Sequence, residues 1–232
     1  MSAGYAFRPP MTATTALLDP PAAFAPVFTP ERTFAFVGER LWLDFINTDA
    51  LRLVDALRDF ETFMSWLESA ALVDNERGQG MRRRAREQPS GAAAALVDAR
   101  RVRAGLRLLA ERGWGSNSSE QVRGEALGEI NRVLGRSAGT RRVERRADGT
   151  YARTFVPVGD AFAGLMIPIV ESAADALILG ELPRVRRCAD TRCARVFYDS
   201  TKNGRRRWCD MATCGNRAKA ARHRQKLRET AD

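Results

Sequence analysis

The chain has four cysteines in 232 residues, and all four fall in one short span as Cys188-x4-Cys193-x15-Cys209-x4-Cys214. Two close pairs separated by one stretch suit a tetrahedral metal, because each pair offers two thiolates from a tight turn. The fifteen residues between the pairs are long enough to run out and back as a hairpin. Val196, Phe197 and Tyr198 read as the outgoing arm, Lys202-Asn203-Gly204 as the turn, and Arg206 to Trp208 as the return. A unit this small, with few large apolar side chains, buries too little surface to fold alone, and metal ligation supplies the missing stability. Four soft thiolates in a closed shell match one structural Zn2+ ion and leave no position for a catalytic water. Two disulfides, four unrelated thiols or an iron–sulfur cluster rank behind this reading. The single histidine, His223, is a fifth ligand only on paper, and it reads better as lining a helix face.

The charge is as localised as the thiols. The net charge is +10, and residues 181–232 carry fifteen Lys and Arg against six Asp and Glu, a balance of +9. A basic excess concentrated in one small unit is the footprint of a polyanion binder. After Cys214, Asn216 reads as a helix cap, and Ala218, Ala220 and Ala221 are strong helix formers. On that helix Arg217, Arg224 and Arg228 cluster on one flank and Lys219, Arg222 and Lys226 on the other. Ala220, His223 and Leu227 form a ridge that could pack on the hairpin. Together with Arg205, Arg206 and Arg207 these cations are the candidate nucleic-acid contacts, most of them to phosphates. Arg217 has two competing roles, a guanine contact in the major groove or a brace on the hairpin.

Upstream, the pattern is mainly helical. Residues 1–33 hold six of the ten prolines and read as a disordered tail. No basic segment precedes an unbroken apolar core there, and no apolar run reaches eighteen residues, so the expected location is the reducing cytoplasm, with no membrane span. "TFAFVGERLWLDFINTD" reads as a short strand broken at Gly38 and then a short helix through Leu41, Trp42, Phe45 and Ile46. Asp59 can cap a helix with Phe60, Phe63, Met64, Leu67 and Ala71 on its inner stripe. "NERGQGMRRRAREQPSG" reads as a mobile connector. Residues 91–112 carry Ala95, Ala99, Val102, Leu106 and Leu109 at helical steps, with Arg100, Arg103 and Arg107 on a solvated face. A further helix from Ser119 turns Val122, Ala126, Ile130 and Val133 inward, with Ser118 and Gln121 as a capping box. Asp148-Gly149 marks a β-hairpin. The most apolar helix follows, with Phe162, Leu165, Met166, Ile169, Val170, Ala173 and Leu177 inward. Pro168 should kink or split it, and Gly180 should end it.

"RRCADTRCARVFYDSTKNGRRRWCDMATCGNRAKAARHR" closely resembles the CGNR zinc finger, whose name-giving tetrapeptide stands here as Cys214, Gly215, Asn216 and Arg217. "FVGERLWLDFINTD" is similar to the opening of the ABATE domain, which accompanies this finger in bacterial proteins. The resemblance spans residues 34–228. It implies a bacterial transcription regulator, with the four cysteines as zinc ligands, the finger on DNA and the ABATE domain as a sensing or regulatory module.

The expected fold class is therefore α+β: a mainly helical domain with one β-hairpin over residues 34–180, then a small four-cysteine zinc finger (knuckle, hairpin, basic helix) over 181–232. The chain lacks an HExxH motif and a Gly-rich phosphate loop, so the reading is not an enzyme. Asp44, Asn47, Thr48 and Asp49 cluster beside an apolar helix and are a candidate effector pocket, although satisfaction of backbone groups at a helix end by Asn47 and Thr48 ranks ahead of it. The expected partners are nucleic acid, double-stranded DNA first, an effector molecule and a second copy of the chain. RNA binding, with Tyr198 and Trp208 stacking on bases, and binding of an acidic protein are the alternatives. The expected division is that Cys209→Ser would unfold the finger and leave the upstream helices standing.

Overall fold

A computed structural model describes residues 34–230 except 50–54, 56, 114–118, 137, 146–148, 150 and 159–161. The first helix, α1 (Leu41–Ile46), has all six residues buried. It is too apolar to lie on a surface, and the rest of the body wraps around it. Phe45 meets the Trp66 ring at 5.4 Å between centroids, and Phe63 at 6.5 Å. Large aromatics buried on one short element each contribute roughly 1.5–3 kcal/mol of transfer free energy, which fixes α1 as the centre of the core.

The strand expected before α1 is not formed. Residues 34–40 run as irregular chain. The Gly38 N–H is taken by the Asp44 carboxylate at 2.7 Å, and its carbonyl accepts from the Tyr198 N–H at 2.9 Å. The local backbone partners are thus a helix side chain and one distant residue, too few for a strand ladder.

Asp59 caps α2 (Phe60–Ser69) by accepting from the Thr62 N–H at 2.7 Å, as the sequence indicates. Phe63, Met64 and Leu67 are buried, joined by Trp66. Ala71 falls outside the helix, in a left-handed turn at φ 56°, and is exposed.

The segment read as a mobile connector is instead a helix, α3 (Asn75–Glu87). Asp74 caps it by accepting from the Arg77 N–H, and Met81 is buried. Arg82 forks onto Glu68 at 2.5 and 2.8 Å and reaches Glu61 at 2.6 Å. Few apolar residues mark this helix in the sequence, because ion pairs to α2 do much of the fastening.

Helix α4 (Pro89–Arg112) begins with proline in its first turn, where the missing N–H costs nothing. Its buried stripe includes Ala99, Val102, Leu106 and Leu109, as expected. Of the arginines expected on its solvated face, Arg100 stays exposed, Arg107 is half-buried and Arg103 turns fully inward. Arg103 is buried and bonds Thr48 and Asp55, while Arg100 donates to the Leu57 carbonyl at 2.7 and 3.0 Å. These guanidiniums satisfy chain ends that leave the core after α1.

Helix α5 (Ser119–Arg136) packs along α4, with Ala126, Ile130 and Val133 buried. The capping residue expected at Ser118 lies outside the described residues, as does Asp148 of the hairpin turn. The hairpin itself pairs β1 (Gly139–Arg145) with β2 (Tyr151–Pro157), antiparallel, from Gly139↔Pro157 to Arg145↔Tyr151. Pro168 splits the apolar helix as expected. A 3-10 turn covers Ala163–Met166, and α6 (Ile167–Ile178) starts with the proline in its first turn. Gly180, left-handed at φ 66°, ends it, with the Glu181 N–H reaching back to the Ala176 carbonyl.

The remaining elements are β3 (Val185–Arg187), β4 (Val196–Tyr198) and α7 (Asn216–Glu229). The molecule is α+β: a mainly helical body, two small antiparallel hairpins, and a cysteine cluster followed by a helix. No helix among the described residues is long and apolar enough to cross a membrane.

Candidate metal centre and its joint to the helical body

The two cysteine pairs sit on two different turns. In the first, the Cys193 N–H bonds the Asp190 carbonyl at 2.8 Å, and the Cys188 N–H bonds the Arg195 carbonyl at 2.9 Å. In the second, Asp210 accepts from the Ala212 and Thr213 N–H groups, both at 3.1 Å, and so starts a π-helical turn over Met211–Gly215 that runs directly into α7. The helix cap is therefore Asp210 rather than Asn216. Asn216 lies inside the helix, and its amide donates back to the Ala212 carbonyl at 3.0 Å. A Cβ at Gly215 would stand 2.7 Å from the Met211 Sδ and 3.4 Å from Trp208, so a side chain there would have to push the exposed Met211 aside.

The expected hairpin between the pairs is only half formed. The turn at Thr201–Gly204 is present, with the Gly204 N–H bonded to the Thr201 carbonyl at 3.1 Å. The outgoing arm, β4, pairs with β3 upstream of Cys188, from Val185↔Tyr198 to Arg187↔Val196. Residues 206–208 return without strand structure, and the link from this side is the Ala189 N–H to the Arg207 carbonyl at 2.8 Å. Buried Asp199 occupies the turn, accepting from the Thr201 and Arg206 N–H groups at 3.0 and 2.9 Å, which removes the ladder positions a returning strand would use.

These turns bring the ligand atoms of Cys188, Cys193, Cys209 and Cys214 within 4.8 Å of one another. The Cys193–Cys209 sulfurs are 3.8 Å apart and the Cys209–Cys214 sulfurs 3.6 Å. A regular tetrahedron with Zn–S bonds of about 2.3 Å has sulfur–sulfur edges of about 3.8 Å, so the set fits a zinc ion. All four cysteines are free thiols. Burial, then the neighbouring sulfurs, pushes the Cys209 thiol far above its ordinary range, and burial pushes Cys214 to about 11. Burial also acts against ionisation of Cys188, but N–H groups of Cys209 and Asp190 outweigh it and hold that thiol below its usual value. One thiolate is stabilised at the expense of the others, and four together need a dication. His223 is exposed on α7 and takes no part.

Around the cluster, Phe197 is fully buried beneath the Arg206 guanidinium, 4.6 Å from its ring centroid. Arg206 also donates to the Trp208 and Cys209 carbonyls at 2.9 and 2.5 Å and pairs with Glu39 of the body. Arg217 donates to Asp190 and to the Cys214 sulfur. Two of the nine cations expected on nucleic acid are thus engaged within the fold. Arg205, Arg207, Lys219, Arg222, Arg224, Lys226 and Arg228 are exposed, Arg207 stacking 5.1 Å from the Trp208 ring. The ridge of Ala220, His223 and Leu227 does not pack on the hairpin: no residue of α7 is buried among the described residues, and Leu227 is 56% exposed.

The polar cluster at the end of α1 is hydrogen-bonded within the fold. Asp44 holds the Gly38 N–H, and Thr48 donates to the Phe45 carbonyl at 2.6 Å while accepting from Arg103 at 3.0 Å. Asn47 does something the sequence does not show. Its amide nitrogen donates to the Val196 carbonyl at 2.8 Å, and its oxygen accepts the Val196 N–H at 2.9 Å. The side chain of Val196 is part of the body's own core. Arg107 ties the same joint, bonding the Ile46 carbonyl, Asp49 and the Ala194 carbonyl. On the other side Arg40 forks onto Glu181 at 2.6 and 2.8 Å and lies 3.9 Å from the Tyr198 ring centroid. The body therefore grips the chain three residues beyond a metal ligand.

Two family models match the chain, in the order the structure presents them. Residues 39–180 match ABATE, described as "Putative stress-induced transcription regulator". Residues 184–226 match the CGNR zinc finger. No curated protein matches the chain. With the α1 segment at the centre of the helical body and four thiols closed around a zinc-sized space ahead of Asn216 and Arg217, the chain belongs to the ABATE family and carries a CGNR zinc finger.

Proposed function

We propose that this protein is a transcription regulator that uses its zinc-bound finger to hold double-stranded DNA, with the ABATE body controlling how the finger is presented. The observation that carries this reading is α7: fourteen residues with six Lys and Arg, one Glu and no buried side chain. A solvated helix with cations on two flanks can lie in a groove and reach phosphates on both walls. The zinc ion is structural. Bound by Cys188, Cys193, Cys209 and Cys214, it closes the two turns and fixes the root of α7, and no ligand position is left for chemistry on a substrate.

Lys219, Arg222, Arg224, Lys226 and Arg228 on α7, with Arg205 and Arg207 from the adjacent loop, are the residues assigned to the polyanion. The reducing cytoplasm is the compartment in which its thiols stay available to metal. Selection from a random duplex pool beside a matched RNA pool tests the reading. Enrichment of one duplex motif is expected, and enrichment only from the RNA pool would overturn it. Binding should weaken with salt at a log–log slope of roughly −0.9 per phosphate neutralised. Lys226→Ala should lower affinity for all sequences alike and flatten that slope by about one.

A further inference from the structure

We propose that Arg217 is a positioning residue of the metal centre, a strap that closes one cysteine pair against the other and sets the direction in which α7 leaves. The proposal rests on the zinc site and stands whether or not the finger binds DNA. Arg217 lies in the first turn of α7, three residues beyond Cys214 and on the same side. Its Nη2 donates to the Cys214 sulfur at 2.9 Å, and its Nε donates to Asp190 Oδ2 at 2.7 Å.

Asp190 belongs to the other pair, between Cys188 and Cys193, and is 9% exposed. It is fixed in turn: Oδ1 accepts the Arg192 N–H at 3.1 Å, and its carbonyl accepts the Cys193 N–H at 2.8 Å. One guanidinium therefore joins the two ligand turns directly, in parallel with the metal.

The chemistry explains why an arginine stands there. Four thiolates on a dication leave two units of negative charge in a largely buried cluster. A charged N–H on one sulfur offsets part of that charge, and an outer hydrogen bond of this kind orients and tunes a metal ligand. The contact also needs a second donor at a fixed angle for the carboxylate. A planar guanidinium has both on separate nitrogens of a rigid fork, whereas a lysine ammonium carries all its N–H groups on one nitrogen at the end of a flexible stem. No side chain of α7 is buried, so the helix takes its direction at its root, where the turn capped by Asp210, the ligand Cys214 and this strap meet.

The test uses the full chain loaded with cobalt(II), whose thiolate charge-transfer bands report on the sulfurs. Arg217→Gln is expected to release metal to a chelator about 10–100-fold faster. Its charge-transfer band should move to longer wavelength, because a sulfur without the N–H donates more readily. Asp190→Asn should shift both readouts in the same direction, and the double variant should be no worse than the poorer single one, as for partners in one interaction. Arg217→Lys should fall between. Lys219→Gln, which removes an exposed cation two residues away, should change neither readout. Wild-type band position and metal release in Arg217→Gln, with a salt slope on duplex DNA flattened by about one, would overturn the proposal and make Arg217 a phosphate contact. If Arg217→Gln does not fold, Arg217→Lys and Asp190→Asn carry the same two metal readouts, and unchanged values in both would also overturn it.

Discussion

Replacing Asn47 with alanine should loosen the finger from the body and destabilise both. Asn47 is 2% exposed and Val196 1% exposed, so water does not substitute for the lost amide. The change strands two backbone groups, the Val196 N–H and C=O, which now bond Asn47 at 2.9 and 2.8 Å. Each buried orphan costs about 1–3 kcal/mol, so a loss of about 2–6 kcal/mol is expected. That is a large share of a typical domain's stability. Asn47→Asp keeps the acceptor for the N–H but sets a carboxylate oxygen against a carbonyl. The buried carboxyl should titrate above its ordinary range. Its stabilising protonated form, which can donate to the Val196 carbonyl, is present at low pH and lost as pH rises through the raised value. Urea unfolding gives the free-energy change, and amide exchange at Val196, together with metal release to a chelator, shows whether the finger loosens. A cost below about 0.5 kcal/mol, with unchanged exchange at Val196, would refute the claim that this side chain clamps the two units.

Metal removal should reach further than the charge distribution of the sequence suggests. Because Val196 packs in the body's core, a chelator or Cys209→Ser should lower the thermal midpoint of the helical body as well as unfold the finger; an unchanged helical melting curve would contradict the joint. Asp59 gives a pH handle on α2. Burial acts against its ionisation, but the Thr62 hydroxyl and N–H and the Arg58 guanidinium outweigh it and hold the carboxyl down at about 2. The cap's contribution, about 1 kcal/mol, is thus full above the ordinary carboxylate range and lost as pH falls through about 2. A titration of Asp59 near the ordinary value by NMR would count against the capping geometry.

The sequence alone determined the parts whose physics is local. Four thiols at fixed spacing point to closing turns and a metal, and the structure places all four ligand atoms within 4.8 Å of one another. Helical periodicity located the inner stripes of α2, α4, α5 and α6, because apolar side chains at three- and four-residue steps have one face to bury. Pro168 and Gly180 marked their breaks through backbone restrictions that act within a residue or two. The tertiary structure decided what long side chains do. Arg103, Arg107 and Arg206 look like surface cations in a one-dimensional reading, since their short-range pattern is that of a solvated face, and Arg217 reads as either a base contact or a brace. Each instead spans the gap to a carbonyl or carboxylate brought near by another part of the chain. The same holds for α3, which ion pairs to α2 help to hold, and for Asn47, whose partner lies 149 residues away. A guanidinium or amide finds its acceptor only when the chain has folded, so a pattern of neighbours cannot announce it.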